Sequence, residues 1–105
     1  MATLESWIDY RGRTVELTEE AWAHIIDNHP EMADSFRDVG TAITSPSVVV
    51  RDPNIHRVEQ HYGMPIDGLR VRVIVLYRPT PAGWIGDVHT AHRTARIKKG
   101  EPLWP

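Results

Sequence analysis

At Ser45-Pro46-Ser47 the chain changes its hydrophobic period, and that switch narrows the possible folds more than any motif does. Ahead of it, apolar residues recur at helical spacing. Thr18 reads as a helix N-cap, Glu19 and Glu20 follow where the helix dipole favours acids, and Trp22, Ile25 and Ile26 form a stripe up to Pro30, which either ends this helix or starts the next. A second helix is expected from about Glu31 to Ile43, with Met32, Phe36, Val39 and Ile43 on one face. Beyond Pro46 the pattern alternates. Val48–Arg51, His56–Tyr62, Leu69–Tyr77 and Trp84–His92 read as strands separated by Pro, Gly and Asn turns. His56–Tyr62 looks like a strand with one wet face, and Leu69–Tyr77, apolar on both sides, reads as central. Trp7–Tyr10 and Thr14–Leu17 flank Arg11-Gly12-Arg13 as a small hairpin, and Pro102-Leu103-Trp104 reads as a short edge strand. The expectation is a single α+β domain over residues 1–105, with two N-terminal helices on one face of a roughly four-stranded antiparallel sheet and a small N-terminal hairpin.

With 105 residues, 41% of them hydrophobic, the chain supports one modest core. It has no cysteine, which excludes disulfides, thiol nucleophiles and cysteine-ligated zinc. The start of the sequence lacks a basic region followed by an apolar run, and no apolar stretch approaches bilayer length, so a cytoplasmic protein with no membrane partner is expected. Charge is divided unevenly. Residues 1–50 carry three arginines against nine acids, and residues 51–105 carry nine lysines and arginines against five. Such a map either presents a cationic face to a polyanion or is a solvated basic surface.

Six histidines carry most of the chemical information. An imidazole titrates near neutral pH, so a converging pair is suited to proton transfer. His24 and His29 sit near the end of the first helix, five residues apart and therefore on different sides of it. His29 either caps loose carbonyls there or swings away into a site. In the last long strand Thr90 and His92 share a face and His89 points away, with Arg93 next as a possible phosphate ligand. Arg57, Glu59 and His61 alternate onto one face of their strand, close to Arg51 and Tyr62, as either cross-strand ion pairs or a phosphate-and-proton site. No His-Glu-x-x-His motif and no helical i, i+4 histidine pair is present, so neither a metal site nor a cofactor is expected. The tryptophans read as core or edge packing, with Trp84 at a turn where it could stack on a base.

His29-Pro30-Glu31 closing a first helix, a valine-rich strand, a polar strand with a tyrosine, Val71-Arg72-Val73-Ile74-Val75 and a last strand with Thr90-Ala91 come in an order that resembles the phage- and toxin-associated nucleases of the barnase–EndoU–colicin–RelE-like superfamily. The resemblance spans roughly Thr14 to Trp104. It implies a metal-independent endoribonuclease acting on RNA in a toxin or phage-conflict setting, with a protein inhibitor or antitoxin as a second partner. On that pattern His29 is the helix-end histidine and Thr90 the last-strand hydroxyl, while His92 stands where an aromatic is usual. The residues expected to carry proton transfer are His29, His92, Thr90, Tyr62 and His61. Those expected to meet phosphate are Arg51, Arg57 and Arg93. The alternative is a non-catalytic module of the same fold that binds RNA or protein.

Overall fold

The computed structural model describes residues 2–105. Strands β1 (Thr3–Ile8) and β2 (Thr14–Thr18) form a hairpin, followed by helix α1 (Glu19–Asn28), a 3-10 helix (Pro30–Asp34) and helix α2 (Phe36–Thr44). Then come β3 (Val48–Arg51), β4 (Val58–Tyr62), β5 (Arg70–Thr80), β6 (Gly83–Thr94) and β7 (Glu101–Trp104). All seven strands belong to one sheet, in the order β1-β2-β6-β5-β4-β3-β7. Every neighbouring pair is antiparallel except β2 and β6, which are parallel over Thr14–Glu16 and Ile85–Asp87.

The fold is therefore α+β, but the four-stranded antiparallel sheet expected from sequence is replaced by a seven-stranded mixed one. The N-terminal hairpin does not stand apart; β2 docks against β6, and β7 extends the far edge through β3. A parallel contact between strands so distant in the chain has no turn to announce it, unlike a hairpin. The expected second helix is also divided. A 3-10 turn carries Pro30–Asp34, and α2 begins only after Ser35. Ser35 is buried there, and its Oγ accepts a hydrogen bond from Arg93 Nη2 at 2.6 Å. The Thr18 cap forms as expected, its Oγ1 accepting from the Ala21 backbone N–H at 3.0 Å.

The connection from β2 to β3 crosses β6, β5 and β4, and the helices lie along it, covering one side of the sheet, called here the helix face. Val15 and Leu17 of β2, Val71, Val73 and Val75 of β5, and Val88 and Ala91 of β6 meet Ile25, Met32, Val39 and Ile43 in the core. Gly86 and Gly40 permit this closeness. A Cβ on Gly86 would lie 2.7 Å from a Val75 methyl carbon, and one on Gly40 2.6 Å from Trp7 Nε1, where β1 crosses α2. Trp7 and Trp22 both pack against Phe36.

A β-bulge in β6 decides which side chains face outward. Ile74 pairs with Thr90 but Val75 pairs with Val88, so His89 is the extra residue. Through this shift of parity, Val88 and Ala91 both reach the core, and Thr90 and His92 fall on the opposite face beside Ile74 and Arg72. The expected wet face of β4 is absent: Val58, Glu59, Gln60, His61 and Tyr62 are all buried. On the helix face the β1–β2 turn lies over the strand, with Tyr10 packed on His61. On the opposite face the chain between β6 and β7 lies over it, and the Lys98 backbone N–H donates to the Tyr62 hydroxyl at 3.0 Å. No helix is long and apolar enough to cross a membrane.

Candidate functional site

The structure sorts the polar residues singled out by sequence onto two sides of the sheet. On the opposite face, at the open edge of β6, His29 and His92 come together. α1 ends at Asn28, and His29, its C-cap, donates its backbone N–H to the Ile25 carbonyl. β2 pairs with β6 only as far as Asp87, which leaves the second half of β6 with a free edge. Around that edge the His29 ring stacks on the His92 ring, with centroids 5.2 Å apart and planes inclined by 29°. His29 Nδ1 lies 3.8 Å from the Glu31 carboxylate, and His92 Nε2 lies 3.4 Å from Arg72 Nη1.

Arg72 is the residue of this corner that sequence reasoning passed over. It is buried, and its Nε donates to Gln60 Oε1 at 3.1 Å. The same Gln60 oxygen accepts from the Tyr62 hydroxyl at 2.9 Å, and Gln60 Nε2 donates to Asp52. The signal was present in the sequence: an arginine inside the most apolar strand has to be matched by polar groups on its own face. His92 is only partly buried. Burial first, then the positive charges of Arg72, His29 and Lys98, hold its imidazole below the usual histidine range, against a smaller opposing effect of Glu31. The guanidinium facing Nε2 holds the imidazole neutral, the state a general base needs, and that nitrogen is freed to accept a proton when Arg72 turns to an anion. Thr90 precedes His92 by two residues on the same face and is half-exposed.

Of the remaining predicted residues, Tyr62 shares this face but is fully buried, with its hydroxyl engaged by Gln60 and Lys98. Arg93 turns to the helix face and ties β6 to α2 through Ser35 and Asp38. His61, Arg51 and Arg57 also lie on the helix face, at the other end of the sheet.

There a second polar cluster is built on the β1–β2 turn. Gly12, with φ of +81°, lets the turn close, and Asp9 Oδ1 accepts from the backbone N–H groups of Arg11 and Arg13 at 2.9 Å each. Arg13 so presented grips Glu59 with both terminal nitrogens, at 3.0 and 2.9 Å, and Asp9 with Nε at 2.8 Å. Its guanidinium also lies 3.8 Å from the Tyr77 ring centroid. Tyr77 donates its hydroxyl to Asp9 at 2.6 Å, and Tyr10 donates to Glu59 at 3.1 Å.

Burial by itself would push the Glu59 carboxyl up; hydrogen bonds from His61 and Arg13, together with the Arg13 charge, outweigh it and hold the group at about 2. Burial, then the neighbouring Glu59 charge, pushes the Tyr10 phenol up to about 12. Tyr77 is raised further, by burial and by its bond to Asp9. His61 is wholly buried, with Nε2 at 3.2 Å from the Tyr77 hydroxyl and 3.4 Å from Glu59, and its Nδ1 has no hydrogen-bond partner. Since Glu59 only accepts and the Tyr77 proton is committed to Asp9, the His61 proton belongs on Nε2.

Beside this network opens a cleft of about 340 Å³, lined by Arg11, Arg13, Arg51, His56, Arg57, Glu59, Tyr77 and Trp84. Arg13, Glu59 and Tyr77 there are locked in mutual bonds and leave His56 as the cleft's one imidazole, whereas the corner brings two imidazoles together. The corner is therefore the stronger candidate for chemistry. Among the described residues, no three histidine, aspartate or glutamate side chains converge as metal ligands would. Comparison with known proteins gives no match at a significant level to any family model, curated protein or solved structure.

Proposed function

We propose that the His29–His92 corner cleaves RNA by attack of a 2′-hydroxyl on the adjacent phosphorus. The observation that supports this most is the stacking of two imidazoles, from the end of α1 and the last long strand, at 5.2 Å beside a guanidinium. The likeness of His29-Pro30-Glu31 and Thr90-Ala91 to the barnase–EndoU–colicin–RelE-like nucleases points the same way, and a toxin or phage-conflict role with a protein inhibitor would follow from it.

In this reading Arg72 turns from His92 to the phosphate, and neutral His92 takes the 2′-hydroxyl proton through the Nε2 so freed. The 2′-oxygen bonds to phosphorus, and the bond from phosphorus to the 5′-oxygen breaks. Protonated His29, with Glu31 as its counter-charge, gives a proton to the leaving 5′-oxygen. The products are a 2′,3′-cyclic phosphate and a free 5′-hydroxyl. Arg72 stabilises the charge that gathers on the phosphate oxygens, the contribution that is usually largest in such reactions. Thr90, on the same face, is placed to hold a phosphate oxygen or a ribose hydroxyl.

The test is cleavage of a short RNA with a chelator present, reading the cyclic phosphate end. His29→Ala and His92→Ala are each expected to lose about 10²–10⁴-fold in rate, with a bell-shaped pH dependence in the parent. Full activity in both variants overturns the roles. Tight, salt-sensitive RNA binding with no cleavage in the parent would favour the binding-module reading instead.

A further inference from the structure

The cleft beside Trp84 lies away from the imidazole corner in both directions that matter. It is on the helix face, where Trp84 pairs with Pro79 at the far end of the β5–β6 hairpin, whereas His92 pairs with Arg72 near the start of β5 on the other side. Four guanidinium groups line it. Two are committed: Arg13 to Asp9 and Glu59, and Arg51 to Glu101 and the His56 carbonyl. Arg13 carries one charge against two carboxylates, so Arg11 and Arg57 together leave the cluster with a net single positive charge.

Arg11 and Arg57 are different. Among the described residues, neither guanidinium makes a side-chain hydrogen bond or an ion pair. Each lies instead over an aromatic ring, Arg11 at 5.3 Å from the Tyr10 centroid and Arg57 at 5.6 Å from that of Trp84. Trp84 is 48% exposed, an unusual degree for the largest apolar side chain. Unspent guanidinium groups converging on a concavity call for an anion. An exposed indole at the same rim calls for a flat ring. A volume of about 340 Å³ falls in the range of small-molecule sites.

We propose that this cleft binds a nucleoside phosphate, with the base stacked on Trp84 and the phosphate held between Arg11 and Arg57. The ligand is either a free nucleotide or one residue of an RNA strand; the chemistry recognised is the same. The site does not depend on whether the imidazole corner cleaves RNA.

Calorimetric titration of the full chain with 5′-AMP, and separately with a six-residue RNA, tests it, together with NMR of the Trp84 indole and of the His29 and His92 rings. Arg11, Arg57 and Trp84 are all exposed, so their variants are expected to fold. Arg11→Ala with Arg57→Ala, and Trp84→Ala, should each weaken 5′-AMP binding about tenfold, Trp84→Phe should recover most of it, and adenosine alone should bind more weakly than 5′-AMP. Equal affinity per site for 5′-AMP and RNA identifies a free nucleotide as sufficient, and about tenfold tighter RNA binding that still depends on Trp84 identifies a strand. No 5′-AMP binding at all, binding indifferent to these variants, or shifts confined to the two histidine rings overturns the proposal. So does a polyglutamate peptide that binds as tightly and ignores Trp84→Ala, which would make the cleft a seat for an acidic protein.

Discussion

The two faces of the sheet carry polar clusters built from similar residue types to opposite effect. On the helix face, Arg13, Glu59, Asp9, Tyr10 and Tyr77 saturate one another through five side-chain hydrogen bonds of 2.6–3.1 Å. On the opposite face, His92 stands 3.4 Å from Arg72 and its ring centroid 5.2 Å from that of His29, with hydrogen-bonding capacity left over. A saturated buried network fixes the backbone that carries it; an unsaturated, half-exposed one is free to work on a ligand. Sequence could not separate the two, because which side chains meet is set by strand register and by the β1–β2 turn rather than by residue type.

The largest expected difference between the faces is in stability. Glu59→Ala removes two hydrogen bonds from a partly buried guanidinium that keeps only Asp9, and is expected to cost about 2–3 kcal/mol. His29→Ala, at a half-exposed position, is expected to cost no more than about 0.5 kcal/mol. Urea unfolding of the two variants checks this. Equal losses would mean that the imidazole corner is as structural as the turn cluster, and the contrast would fail.

A second expectation concerns acid. The Glu59 carboxyl is held at about 2 in the folded chain against an ordinary 4.5. Its ionised form is therefore favoured by folding, and its contribution is fully present above about pH 4.5 and is lost as pH falls through about 2. Glu59→Gln should be less stable than the parent at neutral pH and should lose less on acidification across that window, as followed by thermal unfolding at several pH values. An unchanged slope would show that Glu59 is not held by Arg13 and His61 in solution.

Much of the architecture was legible because it is local. The Thr18 cap, the period switch at Pro46, the central position of Leu69–Tyr77 and the edge strand at Pro102-Leu103-Trp104 each have a signature within a few residues. The parallel β2–β6 contact has none, and missing it led to a four-stranded expectation. Glu59 and His61 looked solvated because β4 is polar, and only the turn at Asp9–Arg13, from the other end of the chain, buries them. The meeting of His29 and His92 was readable as residue types but not as geometry. It depends on the His89 bulge, which sets the parity of β6, and on an open strand edge, and neither leaves a pattern in the sequence. Arg72 was visible as an interruption of an apolar run; its significance lies in Gln60 and His92, which only the register brings alongside.

The smallest expected effect is also the one that separates the faces most cleanly. Burial, then Arg72, His29 and Lys98, lowers the His92 imidazole, with Glu31 opposing them. A histidine lowered on folding binds protons more readily in the unfolded chain, so its effect on stability is nil well above the ordinary histidine range and turns destabilising as pH falls below about 6.5. Glu59 begins to matter only some two pH units lower, so the two faces should respond to acid in succession. His92→Asn is therefore expected to flatten the stability profile just below about pH 6.5 while leaving the steeper loss below about 4.5 untouched, and Glu59→Gln to do the reverse. NMR titration of the His92 ring gives the matching microscopic reading. A ring that titrates at or above the ordinary histidine value would show that Arg72 and Lys98 do not face it, and with that His92 would lose its claim to be the neutral base.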